Sequence, residues 1–134
     1  MDASEFFNTV VKPNYKEFTE KPDDFRLLWN AIISMNTVAE YVALKQHGYA
    51  QVSRDVLARS AKQIRNKDLD DLKYCAETLK HARKITDDKQ GLKLTTVATS
   101  TGISANDKTT WTTGSLDLVD VAQRAFGTLS AMLQ

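Results

Sequence analysis

The sequence predicts a mainly α-helical single domain, an up-down bundle of about four to five helices with one β-hairpin inserted before the C-terminal helix. Three observations carry this. Apolar residues recur at steps of three and four along 25–42, 69–79 and 118–132, the period of an amphipathic helix. Two stretches, 92–99 and 109–113, replace that period with β-branched residues in partial alternation, as strands do. The joins between helical stretches are short, which favours antiparallel neighbours.

Taken in order, Ser4 is the expected N-cap of a short helix through Val11, which Pro13 interrupts because proline lacks the amide a helix interior needs. Asn14–Glu20 makes a second short helical turn. Pro22-Asp23-Asp24 opens the longest helix, its acids facing the positive end of the helix dipole. The core stripe of that helix is Phe25, Leu28, Ile32, Met35, Ala39 and Val42; Trp29, Ile33 and Leu44 widen it, so the helix lies centrally between two neighbours. Gly48 is its stop. Ser53 caps a third helix with Val56, Leu57, Ala61 and Ile64 inward. Asn66-Lys67-Asp68 turns into a fourth helix, from Leu69 to Ile85, with Leu69, Leu72, Cys75, Ala76 and Leu79 on its apolar side. The hairpin covers 92–113, with Gly102 and Asn106-Asp107 in its loop and Trp111 as its anchor on the bundle. Gly114-Ser115 ends the hairpin and caps the closing helix, 115–133.

Composition narrows the class. At 134 residues the chain is one domain in size. With 42% hydrophobic and 26% charged residues it is neither disordered nor of low complexity. A net charge of +1 supplies no global field for nucleic acid. The middle third, 49–93, is the basic part, with eleven Lys/Arg against seven Asp/Glu. Cys75 is the single cysteine, which excludes an intrachain disulfide and a cysteine-based zinc cluster. The opening Met-Asp-Ala-Ser-Glu has neither the basic region nor the apolar run of a secretory signal, and no stretch has the length of a membrane span. A cytoplasmic protein without membrane, metal or cofactor is the expectation.

Two polar sets carry the candidate chemistry. Lys73, Glu77 and His81 stand four apart, so they form one ridge of the fourth helix, with Lys80 and Lys84 beside it. Along the central helix run Arg26, Asn30, Ser34 and Thr37, flanked by Asn36 and Glu40. If both sets face one cleft, His81 has the chemistry of an acid or base near neutral pH and Lys73 that of a phosphate-stabilising cation. The alternative is a satisfied inter-helix network or a solvated face. His47 beside Gly48 reads as a helix C-terminal residue, and Asp87-Asp88 as part of a turn.

The run Lys73-Tyr74-Cys75-Ala76-Glu77-Thr78-Leu79-Lys80-His81 resembles the motif of HEPN-type helical bundles, whose recurrent bacterial form reads approximately Arg-Asp-Leu-Ala-Asn-x-x-Lys-His. Lys73 stands in the arginine position, Glu77 in the asparagine position, and Lys80-His81 is intact. Phe25-Arg26, Asn30-Ala31, Ser34, Asn36 and Glu40-Tyr41 resemble the earlier helix of such proteins. The chain departs from the pattern in its lysine, which lacks the planar fork of arginine, in a spacer longer than the nuclease consensus, and in aromatic Tyr74 after the cation. The resemblance implies a bundle, often dimeric, whose active members are metal-independent ribonucleases of toxin–antitoxin, abortive-infection and CRISPR-associated systems. It gives His81 the place of the catalytic histidine and Lys73 that of the catalytic arginine; the candidate catalytic residues are Lys73, Glu77 and His81, and the candidate binding residues Arg26, Asn30, Lys80 and Lys84. The expected function is a non-catalytic HEPN-like interaction protein of a bacterial defence or mobile-element context, homodimeric, with an RNA or protein partner. The alternatives are a metal-independent ribonuclease toxin using His81, and a small phage-derived inhibitor or interaction protein.

Overall fold

The computed structural model describes residues 1–47, 66–81, 92–97 and 108–133. Gly48, the helix expected after Ser53, Lys84, the hairpin loop at Gly102 and Asn106-Asp107, and the turn at Asp87-Asp88 lie outside the described residues.

Among the described residues the chain forms four helices and a small antiparallel sheet placed before the last helix. The N-terminal helix does not break at Pro13. It runs as α1 (Ala3–Phe6), a π-helical turn (Phe7–Val11) and α2 (Lys12–Glu20) without interruption. Proline has no N–H, and its ring crowds the carbonyl four residues back. A wider turn placed just before Pro13 lets the helix continue, and the Lys12 N–H donates to the Phe7 carbonyl five residues back. The cap is Asp2 rather than Ser4: the Asp2 carboxylate accepts from the Glu5 N–H at 2.9 Å, and the Glu5 carboxylate accepts from the Asp2 N–H, a capping box. Ser4 instead donates its hydroxyl to the Leu133 carbonyl at 3.3 Å, joining the first turn to the last.

Helix α3 (Phe25–His47) starts at Asp24, whose carboxylate accepts from the Leu27 N–H at 3.1 Å. Its inward face is Leu27, Leu28, Ala31, Ile32, Met35, Val38, Val42 and Ala43, broader than the expected stripe because α3 packs against the N-terminal helix and against the helices Lys67–Lys80 and Leu118–Leu133. Phe25 departs from expectation. It is 41% exposed at the helix start and packs edge-on against Trp111, with ring centroids 5.3 Å apart.

Helix α4 (Lys67–Lys80) is capped by Asn66, whose side chain accepts from the Asp68 N–H at 2.8 Å. It buries all five residues expected on its apolar side. It ends sooner than expected: His81 leaves helical geometry at φ −109° and ψ 29°. Cys75 is fully buried, and burial pushes its thiol up to about 12.

Strands β1 (Leu92–Val97) and β2 (Lys108–Thr113) pair antiparallel, Leu94 opposite Trp111. A third strand, β3 (Leu116–Asp117), follows β2 through a two-residue turn. Gly114-Ser115 is that turn and not a helix cap. Gly114 sits at φ +58°, the conformation that the primed hairpin turns require at their first central residue. The cap of α5 (Leu118–Leu133) is Asp117. Its carboxylate accepts from the Val119 N–H and the Thr110 hydroxyl, both at 2.9 Å.

The core is one cluster, with Phe7, Phe18, Leu28, Ile32, Met35, Leu72, Leu79, Leu118 and Leu129 among its fully enclosed side chains. The hairpin is pinned to the bundle by Trp111, whose Nε1–H donates to the Asp23 carbonyl at 2.9 Å; the indole acts as an anchor, as expected. No helix among the described residues is long and apolar enough to cross a membrane.

Candidate functional site

The α4 ridge forms as the helical spacing requires. Its members are wet because Leu69, Leu72, Cys75, Ala76 and Leu79 turn the opposite face into the core. His81 occupies the C-cap, and its N–H donates to the Glu77 carbonyl. Its Nε2 lies 3.2 Å from Glu77 Oε2, and both side chains are 47% exposed. Glu77 therefore stands between Lys73 and His81 along the ridge and is in contact with the histidine. Lys73 is half-buried, and Lys80 is exposed.

The central-helix set opens elsewhere. Asn30, Ser34 and Thr37 line a groove of about 240 Å³ shared with Phe6, Asn14, Trp29 and Ile33. That groove faces the N-terminal helix, and no α4 residue lines it. Arg26 is exposed on α3 and lies outside the groove as well. The structure thus brings Lys73, Glu77 and His81 together on one helix, and Asn30 with Ser34 and Thr37 on another, without joining the two sets in this groove. The reason is that α3 and α4 meet through apolar faces. Ser34 and Asn36, the two buried polar residues of α3, are satisfied within the helix: the Ser34 hydroxyl donates to the Ala31 carbonyl at 3.1 Å, and the Asn36 amide to Glu40 at 3.4 Å.

A denser constellation lies at the other end of α4. The Arg124 guanidinium on α5 donates to three carboxylates: Asp68 at 2.8 Å, Asp71 at 3.0 Å and Asp120 at 2.9 Å. The Thr128 hydroxyl donates to the second oxygen of Asp68 at 3.0 Å, and Lys67 reaches Asp71 at 2.9 Å. The fork of arginine suits such a cluster, where a single ammonium would not. The hydrogen bond from Arg124 holds the Asp68 carboxyl below its ordinary value, against an opposing push from burial. Asp68 and Asp120 in turn raise the Arg124 guanidinium. Sequence reasoning missed this hub. Asp120–Arg124 and Lys67–Asp71 are visible as pairs four apart, but nothing local announces that α5 reaches back to Asp68.

A second, larger groove of about 600 Å³ lies between this end of α4 and the β2–β3 turn, with Lys67, Asp70, Tyr74 and Gly114 in its walls. Among the described residues no group of three or more His, Cys, Asp or Glu is placed to hold a metal ion.

No protein-family model, curated protein or solved structure matches this chain.

Proposed function

We infer that this chain is a non-catalytic helical-bundle interaction protein, HEPN-like in organisation, acting in the cytoplasm in a bacterial defence or mobile-element setting. The observation that carries the reading is the position of Glu77. A metal-independent nuclease needs its histidine aimed at the reacting oxygen while a neighbouring cation grips the phosphate. On α4 a carboxylate stands between that cation and that histidine and contacts the histidine at 3.2 Å. Its charge repels a phosphodiester where one would have to lie. Lys73 also lacks the second prong with which arginine holds two phosphate oxygens. The thiol of Cys75 is buried and packs as core. The bundle then works through its faces, with a second copy of the chain as first partner.

Purified protein incubated with single-stranded RNA in chelator tests the catalytic half of this reading. RNA left intact by the parent and by His81→Ala alike is the expected result. Metal-free cleavage that His81→Ala abolishes would replace the reading with a ribonuclease toxin. Light scattering across a micromolar concentration series tests the dimer, and a strict monomer throughout would remove it.

A further inference from the structure

On the outer face of α3 two opposite charges stand at the ends of an uncharged stretch. Arg26, Asn30, Ile33, Thr37 and Glu40 recur at steps of three and four, so they form one stripe along the helix. Leu28, Ile32 and Met35 turn the opposite side into the core. Arg26 is exposed, and the other four residues of the stripe are half-buried. Its middle, Asn30, Ile33 and Thr37, lines the smaller groove, whose walls contain no ionisable group. Neither terminal charge has an ionic partner among the described residues: Arg26 has no polar contact there, and Glu40 has the Asn36 amide at 3.4 Å.

Ile33 is the midpoint of the stripe. Arg26 and Glu40 lie seven residues to either side of it, and Asn30 and Thr37 three before and four after. A second α3 laid antiparallel on the first, with the two Ile33 side chains meeting on a two-fold axis, therefore sets each Arg26 opposite the partner's Glu40. It also sets each Asn30 opposite the partner's Thr37. An interface between identical copies requires this reciprocity. The uncharged pair is matched as well as the charged one. The Thr37 hydroxyl spends its proton on the Ile33 carbonyl at 2.8 Å, so its oxygen is left to accept. The Asn30 amide forms no hydrogen bond among the described residues and has N–H groups to donate. A parallel pairing would instead set Arg26 on Arg26 and Glu40 on Glu40. At the shallow crossing of about 20° common between helices, the two ends, ~10 Å from the midpoint, move apart by roughly 4 Å. Arginine and glutamate side chains span that distance.

We propose that two copies of this chain associate through α3, antiparallel about Ile33, with Arg26 and Glu40 forming reciprocal ion pairs at the two ends. The proposal rests on the dimer inferred above and names its surface, which is α3 and not the α4 ridge. Light scattering separates the two: a parent chain that stays monomeric at micromolar concentration removes the dimer, and this interface with it. With a dimeric parent, Arg26→Glu and Glu40→Arg should each weaken self-association by roughly tenfold or more, because both ends then carry like charges. The two variants mixed in equal amounts should regain the parent's affinity, since opposite charges meet again at both ends. A misfolded variant could not be rescued in that way. A short bismaleimide should join two Ile33→Cys chains, with the buried Cys75 unreactive, and should leave Lys80→Cys uncoupled. A dimeric parent whose charge variants associate as it does would overturn this interface while leaving the dimer standing. Coupling through Lys80→Cys and not through Ile33→Cys would do the same and move the contact to the α4 ridge.

Discussion

Arg124 Nη1 lies 2.8 Å from Asp68 Oδ1, a contact that spans 56 residues of sequence and joins the first turn of α4 to the middle of α5. Asp71 and Asp120 complete a set of three carboxylates on one guanidinium. The side chains are between 18% and 60% exposed, so solvent screens the cluster in part and its contribution lies between that of a surface pair and that of a buried one. Arg124→Ala should therefore destabilise the fold by about 1–2 kcal/mol. A melting point lower by roughly 3–8 °C follows for a domain of this size. Arg124→Lys should recover little of it, since the three carboxylates are bound by three separate nitrogens of the planar guanidinium, and a single ammonium nitrogen cannot occupy all three places. Thermal unfolding followed at 222 nm checks both, and an unchanged melting point in Arg124→Ala would show that the cluster adds nothing.

The same contact sets an acid limit. The Asp68 carboxyl is held below its ordinary value by Arg124, so the folded state binds that proton less readily than the unfolded chain. The resulting stability is fully present above the unfolded aspartate value, about 3.9, and is lost as pH falls through the lower folded value. Urea midpoints measured downward from pH 6 should fall across that window. In Asp68→Asn the drop should be shallower and the starting midpoint lower.

Cys75 gives the opposite sign at the alkaline end. Its folded thiol is pushed up to about 12, while the unfolded thiol ionises near ~8.5. Between those values the unfolded chain loses a proton that the folded chain keeps, so stability should decline as pH rises through that interval. At neutral pH the native thiol should resist a disulfide reagent and react promptly once urea unfolds the chain. Rapid native-state labelling would contradict the burial of Cys75.

Two glycines separate backbone conformation from packing. A Cβ added at either Gly114 or Gly127 would meet nothing within 4 Å. Gly114 is at φ +58° in the β2–β3 turn, so Gly114→Ala should cost about 1 kcal/mol through strain alone. Gly127 is exposed inside α5, so Gly127→Ala should stabilise by roughly 0.5–1 kcal/mol through helix propensity and a less disordered unfolded chain. Chemical denaturation of the two variants should shift in opposite directions.

Much of the architecture is local and was therefore legible in the residues. The apolar face of α4, the strands at 92–97 and 108–113 and the spacing of α5 follow from periods of 3.6 and 2, which short-range sterics impose. The polar ridge of Lys73, Glu77 and His81 follows from the same geometry. What the sequence could not settle were choices between competing local solutions. Pro13 breaks most helices, and only packing of Phe7 and Val11 into the core makes a π turn the better outcome. Ser4 and Asp2 compete as caps, and the reciprocal contact of Glu5 decides for Asp2. Gly114-Ser115 serves equally as a helix start or a hairpin turn until Thr112 pairs with Asp117. Which polar groups share a groove, and which carboxylates Arg124 gathers, depends on how helices distant in sequence pack. Those relationships exist only in the tertiary structure, because an apolar face specifies that a helix is buried but not which polar neighbours its far side will meet.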